Sequence, residues 1–215
     1  MNVHVLPTGP LQTNAFVLTA PARKEAVLVD APLGVWPDVH RLLEREGCVL
    51  KELWLTHGHF DHMEGGADVL KANPGLTVRA HAADRHLYEE PERMRWFIEM
   101  FMPDHPLIAP VFPTSWVSQG DHFEALGVDV EVRHVPGHAD GNVTFVLSGA
   151  GLAIVGDSIF AGGVGRTDLP GGSFEVLSAA IKAQLFTLPD STVLFPGHGP
   201  RTTVGAEKRG NPYLQ

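Results

Sequence analysis

The block Thr56-His57-Gly58-His59-Phe60-Asp61-His62 constrains this chain more than any other stretch. It sets three imidazoles and one carboxylate within six residues, directly after the apolar run Leu53-Trp54-Leu55, which reads as a short buried strand. Beyond Gly65-Gly66, residues 67–72 read as a helix stopped by Asn73-Pro74-Gly75. The cluster therefore occupies a strand-to-helix turn, where side chains can converge. Imidazole nitrogens and carboxylate oxygens are the usual ligands of zinc and similar divalent cations. In an extended turn His57, His59 and Asp61 face one side and His62 the other, so one segment offers ligands to two cations. A solvated histidine-rich loop is the competing reading. The preceding strand and the isolated histidines downstream argue against it.

Those downstream groups sit in similar settings. His138 closes Val135-Pro136-Gly137-His138, Asp157 closes Val155-Gly156-Asp157, and His198 lies in Phe195-Pro196-Gly197-His198-Gly199. Each follows an apolar or alternating run: 128–132, 152–155 and 192–195. Four strand ends thus deliver ligand chemistry into glycine turns, a way to build one site from several loops on a rigid scaffold.

Around them the chain reads as strands at 3–5, 15–18 and 26–29, the last ending at Asp30, then a helix over 36–46 closed by Gly47. Asp30 has two readings, support for the metal turn or a turn cap. Residues 82–102 read as helical with a break or new start at Pro91, and 86–113 reads either as a core-packing helix with an irregular tail or as a partly mobile apolar cover over the metals. Residues 117–120 and 124–126 read as a hairpin turning at 119–121. Strands follow at 128–134, 142–147 and 152–155, and Ser173 reads as the N-cap of a helix running to Phe186. His81, His86, His105 and His122 read as surface or ordinary polar contacts, and His134 as structural. Cys48 reads as a small core residue.

Composition narrows the function classes. A hydrophobic share of 44% in 215 residues supports a folded core. The net charge of −9 argues against nucleic acid as a partner. One cysteine excludes an internal disulfide and fits a reducing compartment. The N-terminus shows neither a basic segment nor a long apolar one, and no membrane-spanning run follows. The expectation is a cytoplasmic monomer or small homo-oligomer acting on a small molecule, without a membrane partner.

The ordered set His57, His59, Asp61, His62, His138, Asp157, His198 resembles the metallo-β-lactamase superfamily. The texts GDSIFAGGVGRTDLPGG and FPGHGPRTTVGAEKRGNPYL resemble, within it, the type II glyoxalases (hydroxyacylglutathione hydrolases), especially their short bacterial forms. The resemblance implies an α/β fold, a four-layer αββα sandwich of two mixed β-sheets, as a single domain over 1–215. It implies two divalent cations, zinc foremost, with iron or manganese acceptable to the same ligands. His57, His59 and His138 would take one cation, Asp61, His62 and His198 the other, and Asp157 would bridge them. On the same resemblance Asp61 and Asp157 would be the catalytic carboxylates, and a metal-bridging hydroxide would cleave S-lactoylglutathione or a related hydroxyacyl thioester. Arg166 matches a basic position that contacts glutathione in longer relatives. Asp168 stands where those carry a tyrosine, so a salt bridge between Arg166 and Asp168 is the competing expectation. Only 17 residues follow His198, too few for the C-terminal helical domain of the longer glyoxalases. The runner-up is a persulfide dioxygenase-like mononuclear iron enzyme. That family typically replaces the second histidine of the first motif, whereas His59 is present here.

Overall fold

The computed structural model describes residues 1–215. In chain order its main elements are β1 (Asn2–Thr8), β2 (Thr13–Ala20), β3 (Glu25–Val29), α1 (Trp36–Glu46), β4 (Val49–Trp54), α2 (Phe60–Met63), α3 (Gly66–Ala72), β5 (Thr77–His81), α4 (Arg85–Glu89), α5 (Arg95–Phe101) and β6 (Ser115–Val117). They continue with β7 (His122–Ala125), β8 (Val128–His134), β9 (Val143–Leu147), β10 (Leu152–Gly156), β11 (Ile159–Phe160), β12 (Gly163–Val164), α6 (Phe174–Ala180), β13 (Val193–Pro196), β14 (Thr202–Thr203) and α7 (Val204–Gly210). One mixed sheet runs β1 to β6 in chain order, and the other runs β14-β13-β10-β9-β8-β7.

Side-chain alternation explains the layers. In β2, Ala15 and Val17 enter one apolar cluster while Phe16, Leu18 and Ala20 enter another. In β10, Leu152 and Ile154 join that second cluster while Ala153 and Val155 enter a third. A strand sends successive side chains to opposite faces, so strands buried on both sides read as unbroken apolar runs. The shared cluster, with Phe16, Trp54, Phe145 and Phe195, lies between the sheets. The outer two lie under helices: Val39 and Leu43 of α1 on one side, Leu177 of α6 on the other. Three apolar layers between four structural ones make the αββα sandwich expected from the sequence.

Parallel pairing gathers the ligand turns at one edge. β3 and β4 run parallel, so Asp30 and the Thr56–His62 turn leave the sheet together. β10 and β13 do the same for Asp157 and His198. Backbone bonds from Val143 N–H to Thr56 O (2.8 Å) and from Asn14 N–H to Gly197 O (2.7 Å) tie the two sheets at this edge.

The structure corrects or refines the local expectations at three places. Residues 117 and 124 are not partners in a hairpin. β6 pairs with β5 in the first sheet, β7 pairs with β8 in the second, and the chain crosses between sheets through 118–121. The tight turn lies at Leu126-Gly127, both with positive φ (55° and 79°), as a two-residue hairpin of this type demands. A leucine there gives no turn signal. The stretch 82–102 is helical with a break before Pro91, as expected, each half opening in a 3-10 turn (Ala82–Asp84 and Pro91–Met94) that leads into α4 and α5. The helix begun by Ser173, whose hydroxyl accepts from Val176 N–H, widens into a π turn at Ile181–Leu185.

Candidate metal centre

The turn after β4 is extended only as far as His59 (φ −67°, ψ 145°), and α2 begins at Phe60. That helical turn swings Asp61 away from the side taken by His57 and His59, so the single extended turn expected from sequence is corrected. His57, His59 and His138 form one group of inward ligand atoms, and Asp61, His62 and His198 form another. His57, His62 and Asp157 form a third that spans the two. Within each group the atoms lie within 4.8 Å of one another. Asp157 stands between the first two: its Oδ2 is 3.6 Å from His138 Nε2 and 3.3 Å from His198 Nε2, and its Oδ1 is 3.4 Å from His62 Nε2.

The outward nitrogens decide what the inward ones can do. His138 Nδ1–H donates to Arg166 O (2.8 Å), leaving a bare lone pair on Nε2. His62 Nδ1–H donates to Asp30 Oδ2 (2.8 Å). Thr56 gives its single hydroxyl proton to the same oxygen (2.8 Å), so it must accept from His57 Nδ1–H (3.1 Å). Asp30 Oδ1 takes the Thr56 backbone N–H (2.8 Å). One fully buried carboxylate thereby sets the tautomer of a histidine in each of the two outer groups. Of the two sequence readings of Asp30, support for the metal turn is the one that holds. Thr13 Oγ1 donates to Asp61 Oδ2 (2.7 Å). Gly197 has no side chain because a Cβ there would collide with Asp157 Oδ1 and meet His62 Cε1 at 2.5 Å.

These groups fit divalent cations. The Nε2 atoms of His57 and His138, both lone pairs by the bonding just described, face each other at 3.2 Å, and His59 Nδ1 lies 2.9 Å from His138 Nε2. Converging lone pairs repel unless an electrophile sits among them. His62 Nε2 and Asp157 Oδ1 are buried without a hydrogen-bond partner. Asp30, Asp61 and Asp157 are buried, and no lysine or arginine is buried with them. Burial depresses His57 and His138 and brings His59 down to about 3, keeping all three neutral, as ligation requires. Burial would also depress His198, but bonds to Asp157 and Asp61 lift it to about 10. His62 rises against burial because Asp61, Asp157 and Asp30 surround it. Burial opposes ionisation of Asp61 and Asp157, yet both are held low by the same histidines, His62 first.

The centre opens on a cavity of about 340 Å³ whose lining includes His59, Asp61, His138, Asp157 and His198. The segment 86–113 packs on the core, as one of its two sequence readings has it, and also borders the cavity. Tyr88, Met94 and Ile98 pack in the first core, while Phe97 and Phe101 line the cavity. Arg166 forms the salt bridge, a two-pronged contact to Asp168 (2.8 Å each), and touches the centre only through its carbonyl. Two residues here had no sequence signal. Asp84, buried, accepts from Gly58 N–H (2.8 Å) and Gly141 N–H (2.7 Å), bracing the His59 turn against the His138 turn. Of the surface and polar-contact readings of His105 the second holds, in a buried form that sequence did not signal: it lies 3.0 Å from Glu64, against Phe60. Cys48 is buried in the first core, as expected.

A family model described as the metallo-beta-lactamase superfamily matches residues 8–198. Hydroxyacylglutathione hydrolase GloC of Haemophilus influenzae is 35% identical over 100% of this chain and 98% of its own length. Among solved structures, BLEG-1 B3 metallo-beta-lactamase superposes with a TM-score of 0.89 at 32% identity, covering all of both chains. TTHA1623 in a di-iron-bound form superposes with a TM-score of 0.81 at 36% identity, over 99% of this chain and 100% of that one.

Proposed function

The chain belongs to the metallo-β-lactamase superfamily, and from that premise we propose that residues 1–215 act as one metal-dependent hydrolase domain of the glyoxalase II type, cleaving a thioester to an acid and a thiol. The observation that carries the proposal is the pair of ligand groups with Asp157 between them, opening on one cavity. His57, His59 and His138 would hold one divalent cation, Asp61, His62 and His198 the other, with Asp157 shared. Cations so held supply a water of lowered pKa and an electrophile for a carbonyl oxygen.

The chain's own residues do the rest. Asp30, Thr56 and the Arg166 carbonyl keep the imidazoles in the ligating tautomer. Asp61 and Asp157, held ionised by the histidines around them, would serve as carboxylate ligands and as hydrogen-bond acceptors for a water held there. Phe60, Phe97 and Leu169 exclude bulk water from the cavity wall and so strengthen the electrostatics inside. No side-chain nucleophile competes: Cys48 lies in the core under α1, and the Ser158 hydroxyl is bonded to Val155 O (2.9 Å).

The GloC relative supports the thioester class, and the di-iron relative supports iron beside zinc as the native metal. A mononuclear iron oxygenase would leave one ligand group idle, and here both are complete. The test is elemental analysis of purified protein together with a thioester panel containing S-lactoylglutathione. About two cations per chain and metal-dependent release of thiol are expected. One cation per chain with oxygen consumption on glutathione persulfide would reject the hydrolase reading.

A further inference from the structure

Resting on that hydrolase reading, we infer that the cavity selects thioesters carrying an apolar, uncharged chain over the anionic tripeptide conjugates of glutathione. The inference comes from the walls rather than the metal groups. Met94, Phe97, Phe101 and Met102 line one side of the cavity, with Leu11 and Leu169 completing it. Phe97 and Phe101 meet edge to face, with centroids 5.3 Å apart. Phe101 is 64% exposed and Leu11 46% exposed, so these are apolar surfaces turned to water at a cavity mouth rather than buried core. Single exposed apolar groups are ordinary, but here they gather on one opening above a candidate reaction centre. Methionine and phenylalanine together make a wall that adapts to a flexible hydrocarbon chain.

Charge points the same way. Glutathione brings two carboxylates, which call for cationic partners. No lysine lines the cavity, and its one arginine, Arg166, is engaged twice: its Nε and Nη2 both bond Asp168, and its guanidinium lies 5.0 Å above the Phe97 ring. The fork that would grip a carboxylate is filled by one from the chain itself. An anionic substrate arm would also meet Asp168, which is exposed beside the mouth, on a chain of net charge −9. A volume of about 340 Å³ is at the low end of small-molecule sites, suited to a short chain next to the scissile carbonyl. The reaction is plain hydrolysis. Water oxygen bonds the carbonyl carbon, the C–S bond breaks, one water proton ends on the thiol, the acid ionises, and nothing is oxidised or reduced.

The test uses the metal-replete full chain with two series of neutral substrates: N-acetylcysteamine thioesters from acetyl to octanoyl, and acetyl thioesters of alkanethiols of the same lengths. S-lactoylglutathione serves as the anionic reference. In at least one series kcat/KM should climb with length, by up to about fourfold per buried methylene, and overtake the reference. Phe101→Ala, at an exposed position that the fold does not need, should flatten that climb. Asp168→Asn should free Arg166 and raise the S-lactoylglutathione rate relative to the hexanoyl thioester by up to about fivefold, the scale of an exposed ion pair. Flat response to length in both series, with S-lactoylglutathione preferred, would overturn the inference and leave the hydrolase reading intact. Cleavage of no thioester at all would sink the hydrolase reading itself, and the inference with it.

Discussion

Replacing Asp30 with asparagine keeps the shape of the side chain and inverts the polarity of one of its two positions. The backbone tolerates the change: Asp30 sits at φ 58°, a region that asparagine adopts about as readily as aspartate. Both carboxylate oxygens are acceptors, Oδ1 from Thr56 N–H and Oδ2 from the Thr56 hydroxyl and His62 Nδ1–H. With the amide nitrogen at the Oδ1 position, two donors face each other at a site with no exposure, costing ~1–3 kcal/mol. With the nitrogen at the Oδ2 position, Thr56 must accept, so its proton turns to His57 Nδ1. His57 then carries its own proton on Nε2, the inward atom, and His62 is driven the same way. One ligand in each of the two outer groups would be lost. Perturbed supporting bonds of this kind typically cost about 10–100-fold in metal affinity, and here both cations should be affected. The assay is competition with a chromophoric chelator at pH ~7.5, read for each cation separately, alongside thermal unfolding with and without metal. At about 2–4 °C per kcal/mol for a chain of this size, the metal-free melting temperature should fall by roughly 5 °C. An Asp30→Asn protein that binds both cations within threefold of the parent would refute the tautomer argument.

Three further outcomes follow from the geometry. His59→Asn should remove about one cation equivalent, from the group with His57 and His138, and cut hydrolysis strongly, as elemental analysis and a thioester assay would read. Asp84→Ala should strand the buried N–H groups of Gly58 and Gly141, lowering stability by roughly 3 kcal/mol in urea unfolding and loosening metal at the His138 turn. His81, partly buried and stacked on His134 with centroids 4.2 Å apart, is brought down to about 4, by burial first and then by that neighbour. The unfolded chain takes its proton first as pH falls, so this contribution is complete above pH 6.5 and is lost between 6.5 and about 4. Allowing for solvent, the loss should be ~1 kcal/mol. His81→Phe should flatten that part of the stability profile in urea titrations, and an unchanged slope would assign it elsewhere.

What this chain wrote locally, its sequence was enough to read. The apolar runs at 15–18, 26–29 and 152–155 announced strands, because side-chain alternation and strand preference are properties of neighbouring residues. Gly47 and Ser173 marked helix ends, because capping is completed within one turn. The seven ligand candidates were visible because four of them crowd into one strand-end turn and the other three each close a glycine turn after a strand. Tertiary structure alone decided the rest. It turned Asp61 away from the side of His57 and His59, where an extended turn would have left it, because α2 starts at Phe60. It made Asp30 the arbiter of two tautomers and Asp84 a brace between the turns of Gly58 and Gly141, because an acceptor's meaning depends on which remote N–H lies in front of it. It also chose between the two sequence readings of Arg166 by pairing it with Asp168, and turned Phe97 and Phe101 toward the cavity. Partners chosen across the fold leave no mark on the few residues around them, whereas backbone preference and periodicity act within those few residues and nowhere else.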